Sequence, residues 1–315
     1  MPTFLTNIQD EINEVENQMR RQVVGLHPDI VDAVELVLLS GGKRIRPTIT
    51  LLTTGLIGVS LSAGLTIATA IELLHTATLI HDDLIDGALL RRGNPTLNSH
   101  WSPAATVLTG DLVFAKAAKT AAEVNSVEVM DLFTQTLVTI VNGEINQMFS
   151  GRSTVDRDSY FKRIYAKTAS LFETAAVSPS LLIDNKGAVQ NHLRQFGYSL
   201  GMAFQVMDDI LDFTGEQATL GKPTGSDLHQ GIVTLPTILY FEDHPDDSRL
   251  KKLQENKCNG SVDGLIEAIR SSDSISKAHQ IAWEYVGQAI NALSWLPDVP
   301  ERQALESLAE YIVSR

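Results

Sequence analysis

Sulfur, positive charge and linker composition are all scarce in this 315-residue chain, and each shortage excludes something. A single cysteine, Cys258, leaves no partner for an internal disulfide, so packing must hold the fold and a reducing, cytoplasmic setting is expected. Lysine and arginine total 25 against 38 aspartates and glutamates, a formal net charge of −13. Nucleic-acid binding calls for a basic face, so no such partner is expected. No Pro/Gly/Ser-rich stretch divides the chain, and residues 1–315 read as one domain. Met1 to Asp10 lacks the basic start and apolar core of an export signal.

Charge is also missing from Thr48 to Ile71, 24 residues and long enough to span a bilayer. Eight Thr and Ser residues and the glycines Gly55, Gly58 and Gly64 argue against that reading. The run is expected to be two buried helices joined by a tight loop, not a transmembrane segment.

What is present is helical periodicity. Ile8, Ile12, Val15 and Met19 recur at three- and four-residue spacing within Phe4–Val23. The same pattern predicts helices over Ile67–Leu90, Met130–Phe149, Tyr160–Ile183, Gln190–Phe213, Ser274–Leu293 and Glu301–Val313. Breaks are expected at Gly41-Gly42, Gly93-Asn94-Pro95, Ser178-Pro179, Gly221–Gly225 and Pro297–Pro300. Period-two runs long enough for a sheet do not occur, which predicts an all-α, bundle-like domain of about ten or more helices.

Two acidic clusters stand out, 126 residues apart. In Asp82-Asp83-Leu84-Ile85-Asp86 the first and last carboxylates are four apart and share a helix face, with Asp83 about 100° around. Asp208-Asp209-Ile210-Leu211-Asp212 repeats that spacing. Carboxylates this close repel one another unless a cation lies between them, and hard oxygen ligands at one edge suit Mg²⁺ bridging to substrate phosphates. One such cluster could be a solvated helix face. Two, each set in apolar helix, point to a shared site aimed at a diphosphate if they face each other.

Basic residues gather near these clusters, against the acidic background. Lys43, Arg44 and Arg46 follow Gly41-Gly42, where backbone can approach closely and Arg46 can fork onto phosphate oxygens. Arg91-Arg92 follows the first cluster, Lys167-Thr168 lies in a third segment and Lys222 in a fourth. Together they fit the binding of two diphosphates.

The ordered set GGKRIRP, HTATLIHDDLIDGALLRRGNPT, YAKTASLF, GMAFQVMDDILDFTG, LGKPTGSDL and TLP resembles the trans-isoprenyl diphosphate synthase, or polyprenyl synthetase, family over nearly the whole chain. The resemblance implies an all-α isoprenoid-synthase bundle around a deep central cavity, usually a homodimer. It implies that Lys43, Arg46, His75 and Arg92 hold isopentenyl diphosphate, and that Arg91 contacts an allylic diphosphate. Lys167, Thr168, Gln205 and Lys222 match further allylic-side positions. Asp82, Asp86 and Asp208 match Mg²⁺ ligands, with Asp83, Asp209 and Asp212 as inner or supporting partners. There is one departure. Many members carry Lys in a G-K-x-T-L-P run where this chain has Gly231-Ile232-Val233-Thr234-Leu235-Pro236, so one allylic-side cation is missing.

The implied reaction is head-to-tail prenyl transfer, with diphosphate released. Short-chain members place an aromatic ring four or five residues before the first Asp, where this chain has Thr78 and Ala77. Deeper positions recede by about 5.4 Å per turn, and Leu74 is not aromatic either. Phe133 on a neighbouring helix is the candidate floor. A product of about six to ten isoprene units is therefore expected, with geranylgeranyl as the next alternative and farnesyl beyond it. A terpene cyclase would not need a second diphosphate site, and a non-catalytic subunit should have lost one acidic cluster.

Overall fold

The computed structural model describes residues 8–39, 42–91, 93–149, 155–184, 187–215, 224–254 and 262–314. Arg92, Lys222, Cys258 and the glycines Gly41 and Gly221 lie outside them.

The chain is built from α1 (Gln9–Arg21), α2 (Pro28–Leu39), α3 (Ile45–Leu56), α4 (Leu61–Ile85), α5 (Pro103–Ala122), α6 (Val127–Phe149), α7 (Arg157–Ile164) and α8 (Ser170–Val177). It continues with α9 (Gly187–Thr214), α10 (Ser226–His229), α11 (Leu235–Asp243), α12 (Arg249–Gln254), α13 (Val262–Arg270), α14 (Ser274–Leu293) and α15 (Pro300–Val313). Among the described residues the sheet content is one antiparallel pair, β1 (Leu90–Arg91) with β2 (Asn94–Pro95). The all-α expectation holds.

Two compact units share these elements: residues 1–135, 171–194 and 293–307 in the first, and 136–170, 195–292 and 308–315 in the second. In the first, α4 is the central helix. Ile67, Ile71, Leu73, Leu74 and Ala77 are fully buried along it, and each large aliphatic contributes roughly 1.5–3 kcal/mol by leaving water. The uncharged run resolves as expected into α3, a short loop and α4. The buried threonines of α3 return their hydroxyls to the helix's own carbonyls, Thr48 to Arg44 at 2.8 Å and Thr54 to Thr50 at 2.6 Å. Gly64 lets α4 lie close to α3, for a Cβ there would meet the Thr54 side chain at 2.6 Å. Helix α4 is long and apolar enough to cross a membrane, yet 67% of its most apolar window is buried against the rest of the protein.

The helices differ from the periodicity in several places. The helix expected to reach Leu90 stops at Ile85, because Gly87 takes a left-handed φ of 63° and Ala88 N–H turns back to the Asp83 carbonyl at 2.8 Å. Leu90–Arg91 and Asn94–Pro95 then pair as a hairpin, with Gly93 at φ 79°. Helices α2, α5 and α10 to α13 have no counterpart in the expected set, although Ser102-Pro103 at the start of α5 is a capping signal; the Ser102 hydroxyl accepts from Ala105 N–H at 3.3 Å. The single helix expected over Tyr160–Ile183 is instead α7, a π turn at Tyr165–Ala169, α8 and a 3₁₀ turn at Ser178–Leu182.

Candidate active site

Within the first unit the basic loop divides its labour. Arg44 sits at φ 47°, a left-handed conformation rare for a side-chain-bearing residue, and caps α3. Its guanidinium turns inward, with Nε 2.8 Å from Glu16 of α1 and Nη1 2.9 Å from Glu72 of α4. Burial works against this charge, but Glu72 and Glu16 outweigh it and raise the arginine pKa further. Arg44 is thus a strut, while Lys43 beside it is exposed. Arg46, half-buried, lies over the Phe172 ring at 4.7 Å.

The first acidic cluster closes α4. Asp82 is half-buried, Asp86 is exposed at the C-cap, and Asp83 is buried 9% exposed on the other face. Asp83 accepts a forked contact from Arg91, at 2.9 Å and 3.1 Å from Nε and 2.8 Å from Nη2. Asp83 thereby anchors the hairpin, and Arg91, expected on a diphosphate, is held by that carboxylate. Upstream, His75 and Thr78 are half-buried while Leu74 and Ala77 are fully buried; Phe133 of α6 is 3% exposed. His81 was not singled out by the sequence. Its ring packs where Gly110 of α5 leaves room, since a Cβ there would lie 2.2 Å from Nε2.

The second unit repeats the pattern. On α9, Asp208 and Asp212 are four apart and share a face, and Gln205 and Asp209, also four apart, lie together beside it. Asp209 is 3% exposed and accepts from Tyr160 at 2.7 Å and from Gln205 at 2.8 Å. Burial, then the charge of Asp227, pushes its pKa up to about 7, with both hydrogen bonds pulling the other way. Burial and the Asp209 carboxyl in turn raise the Tyr160 phenol well above its ordinary value. Thr168 donates to Gln205 Oε1 at 2.7 Å, which extends the chain of bonds to the π turn. Lys167, on the same turn, pairs with Glu144 of α6 at 2.8 Å. Gly143 permits that approach, because a Cβ there would meet Ala166 at 2.6 Å. A π turn inserts one residue into the helical ladder and so re-aims Lys167 and Thr168, a device common at functional sites. Asp212 Oδ2 accepts from Asp227 N–H at 3.2 Å and organises the start of α10.

Each acidic cluster therefore has a buried middle carboxylate paired to protein donors, and outer carboxylates on the more accessible side. Among the described residues no three His, Cys, Asp or Glu groups converge on one metal position. Mg²⁺ takes one or two carboxylates and completes its shell with water and phosphate oxygens. The oxygen-only donors of each cluster fit a hard ion of that kind.

The polyprenyl synthetase family model matches residues 27–269. The chain belongs to the polyprenyl synthetase family. It is 36% identical over 284 residues to the octaprenyl diphosphate synthase of Escherichia coli K12, covering 89% of this chain and 88% of that one. With heptaprenyl diphosphate synthase component 2 of Geobacillus stearothermophilus it shares 34% over 310 residues, 98% of this chain and 97% of the relative. The crystal structure of a Caulobacter crescentus polyprenyl synthase complexed with calcium and isoprenyl diphosphate superposes with a TM-score of 0.91 at 31% identity, over 99% of this chain and 97% of that one. This polyprenyl synthetase is a prenyltransferase with the all-α isoprenoid-synthase fold.

Proposed function

We propose that the enzyme condenses isopentenyl diphosphate with an allylic diphosphate, head to tail, and builds an all-trans long-chain polyprenyl diphosphate. The observation that carries this reading is the duplicated acidic helix end. Each has accessible outer carboxylates, a buried middle one held by its own donors, and a lysine or arginine segment close in sequence. Asp82, Asp86 and Asp208 would hold magnesium, which supplies neutralising charge for the diphosphates when bound. On the allylic side Lys167 and Lys222 oppose the charge that develops as the carbon–oxygen bond ionises, an electrostatic task needing no covalent residue. On the other side Lys43, Arg46, His75 and Arg92 bind isopentenyl diphosphate, whose double bond captures the allylic cation. The proton is then lost to the departing diphosphate, so no side-chain base takes part. Apolar walls keep water from quenching the cation.

The small residues Ala77 and Thr78 before Asp82 favour a product of about six to ten units, and the heptaprenyl and octaprenyl names of the relatives support that length. We place the enzyme in the cytoplasm and read it as a homodimer. Val138, Val141, Ile145, Met148 and Phe149 form an exposed apolar stripe along α6, the last 84% exposed, which a second copy would cover. Sedimentation velocity tests the dimer. The Geobacillus relative's name, component 2, makes an assay of the chain by itself informative. The purified chain is incubated with isopentenyl diphosphate, an allylic starter and Mg²⁺, and the dephosphorylated product is weighed by mass spectrometry. A cyclic hydrocarbon, or no condensation without a second protein, would sink the reading.

A further inference from the structure

The loop from Gly231 to Thr234 carries isoleucine where the family commonly has lysine, yet a cation reaches that loop from elsewhere. Arg163 of α7 donates from Nη2 to the Val233 carbonyl, one residue beyond Ile232. Its guanidinium carbon stands 5.5 Å over the ring of Tyr160, whose hydroxyl is bonded to Asp209 at 2.7 Å. Arg163 also precedes Lys167 by four residues on the run of helix leading into the π turn. Asp208, Asp209 and Asp212 of α9 and the adjoining Asp227 give this end of the unit four carboxyl groups, and the Asp227 backbone N–H donates to Asp212 Oδ2 at 3.2 Å.

We propose that Arg163 takes over the work of the missing loop lysine, holding the Gly231–Thr234 loop and supplying positive charge on the allylic side of the second acidic cluster. The inference rests on the reading that the allylic diphosphate binds to this unit. Ionisation piles negative charge onto the departing diphosphate, so a lost lysine must be offset if the site is to keep its charge balance. An arginine can do this while also serving as a strut, because its charge is delocalised over a fork of five N–H donors and one bond to a carbonyl does not discharge it. Stacking on Tyr160 fixes the guanidinium at modest desolvation cost. Arg163 is thus a positioning and charge-supplying residue, distinct from the groups that hold the diphosphate itself.

The test separates charge from strut. Arg163→Gln keeps an N–H for Val233 and loses the charge, while Arg163→Lys keeps the charge. Steady-state kinetics should show the KM for the allylic substrate rising about tenfold in Arg163→Gln, with that for isopentenyl diphosphate within about twofold. Arg163→Lys should stay within about threefold of wild type, and Ile232→Lys added to Arg163→Gln should return the allylic KM to within about threefold. Equal losses in the Gln and Lys variants, equal effects on both substrates, or a folded double variant without recovery would overturn the proposal. Should Arg163→Gln not fold, Ile232→Lys in the otherwise unaltered enzyme decides: an unchanged allylic KM is expected, and a tenfold or larger gain, meaning that charge was lacking, refutes it. Failure of the underlying reading looks different, since wild-type enzyme would then transfer no prenyl group.

Discussion

Arg91 closes a two-pronged contact on Asp83, with Nε and Nη2 both within 2.9 Å of Oδ1, and so ties the hairpin to the last turn of α4. The middle carboxylate of the first cluster is thereby spent on architecture. Asp83→Asn should lower kcat/KM about 10- to 100-fold and reduce thermal stability, leaving the Mg²⁺ concentration for half-maximal activity within about twofold. An Mg²⁺ titration checks this; a shift as large as that of Asp82→Asn would make Asp83 a ligand after all.

The outer carboxylates behave differently. Chelator is expected to abolish activity and Mg²⁺ to restore it, while Asp82→Ala and Asp208→Ala each lower kcat by about 10³-fold or more without unfolding the chain. Near wild-type turnover in either variant at ordinary Mg²⁺ would remove the two-cluster model.

Neighbouring cations in the basic loop should also part company. Arg44→Met strands the buried Glu72, and losing one partner of a buried pair costs about 3–5 kcal/mol, read as a drop in melting temperature or in the denaturant midpoint. Lys43→Ala, at an exposed position, should leave stability within about 0.5 kcal/mol and raise the KM for isopentenyl diphosphate about tenfold. Stability loss in Lys43→Ala matching that of Arg44→Met would contradict the division.

Product length tests the tunnel. Ala77 is fully buried, so Ala77→Phe fills space beside the growing chain and should shorten the product sharply, whereas Phe133→Ala should lengthen it. Mass analysis of dephosphorylated products gives the distribution directly. If Ala77→Phe leaves it unchanged, or wild type stops at farnesyl, the assignment fails.

Much of this was legible in the residues. The spacing of Asp82 to Asp86 and of Asp208 to Asp212 announces a shared helix face, and the structure sets both clusters on helix ends or faces as that spacing requires. Thr48–Ile71 resolves as two helices because its threonines and glycines favour close packing over lipid. Composition could not tell Arg44 from Arg46: their identity is the same, and the difference lies in one left-handed backbone conformation and in Glu16 and Glu72, 28 residues away on either side. Tyr160 and Arg163 escaped notice because their partners, Asp209 and Val233, are remote in sequence. The hairpin was too short to show a period of two. The π turn has no sequence signature, since it is a matter of how many residues lie between fixed points.

With one residue more than an unbroken α-helix would need, the segment Tyr165–Ala169 records an insertion as function, and chain length there matters as much as side-chain identity. Deleting Ala166 would let the ladder heal into regular helix, a locally more comfortable backbone. It would also take Lys167 and Thr168 out of the positions from which they reach Glu144 and Gln205. The enzyme's working geometry is thus kept by a local irregularity, one that substitution scans would pass over and a single-codon deletion would expose.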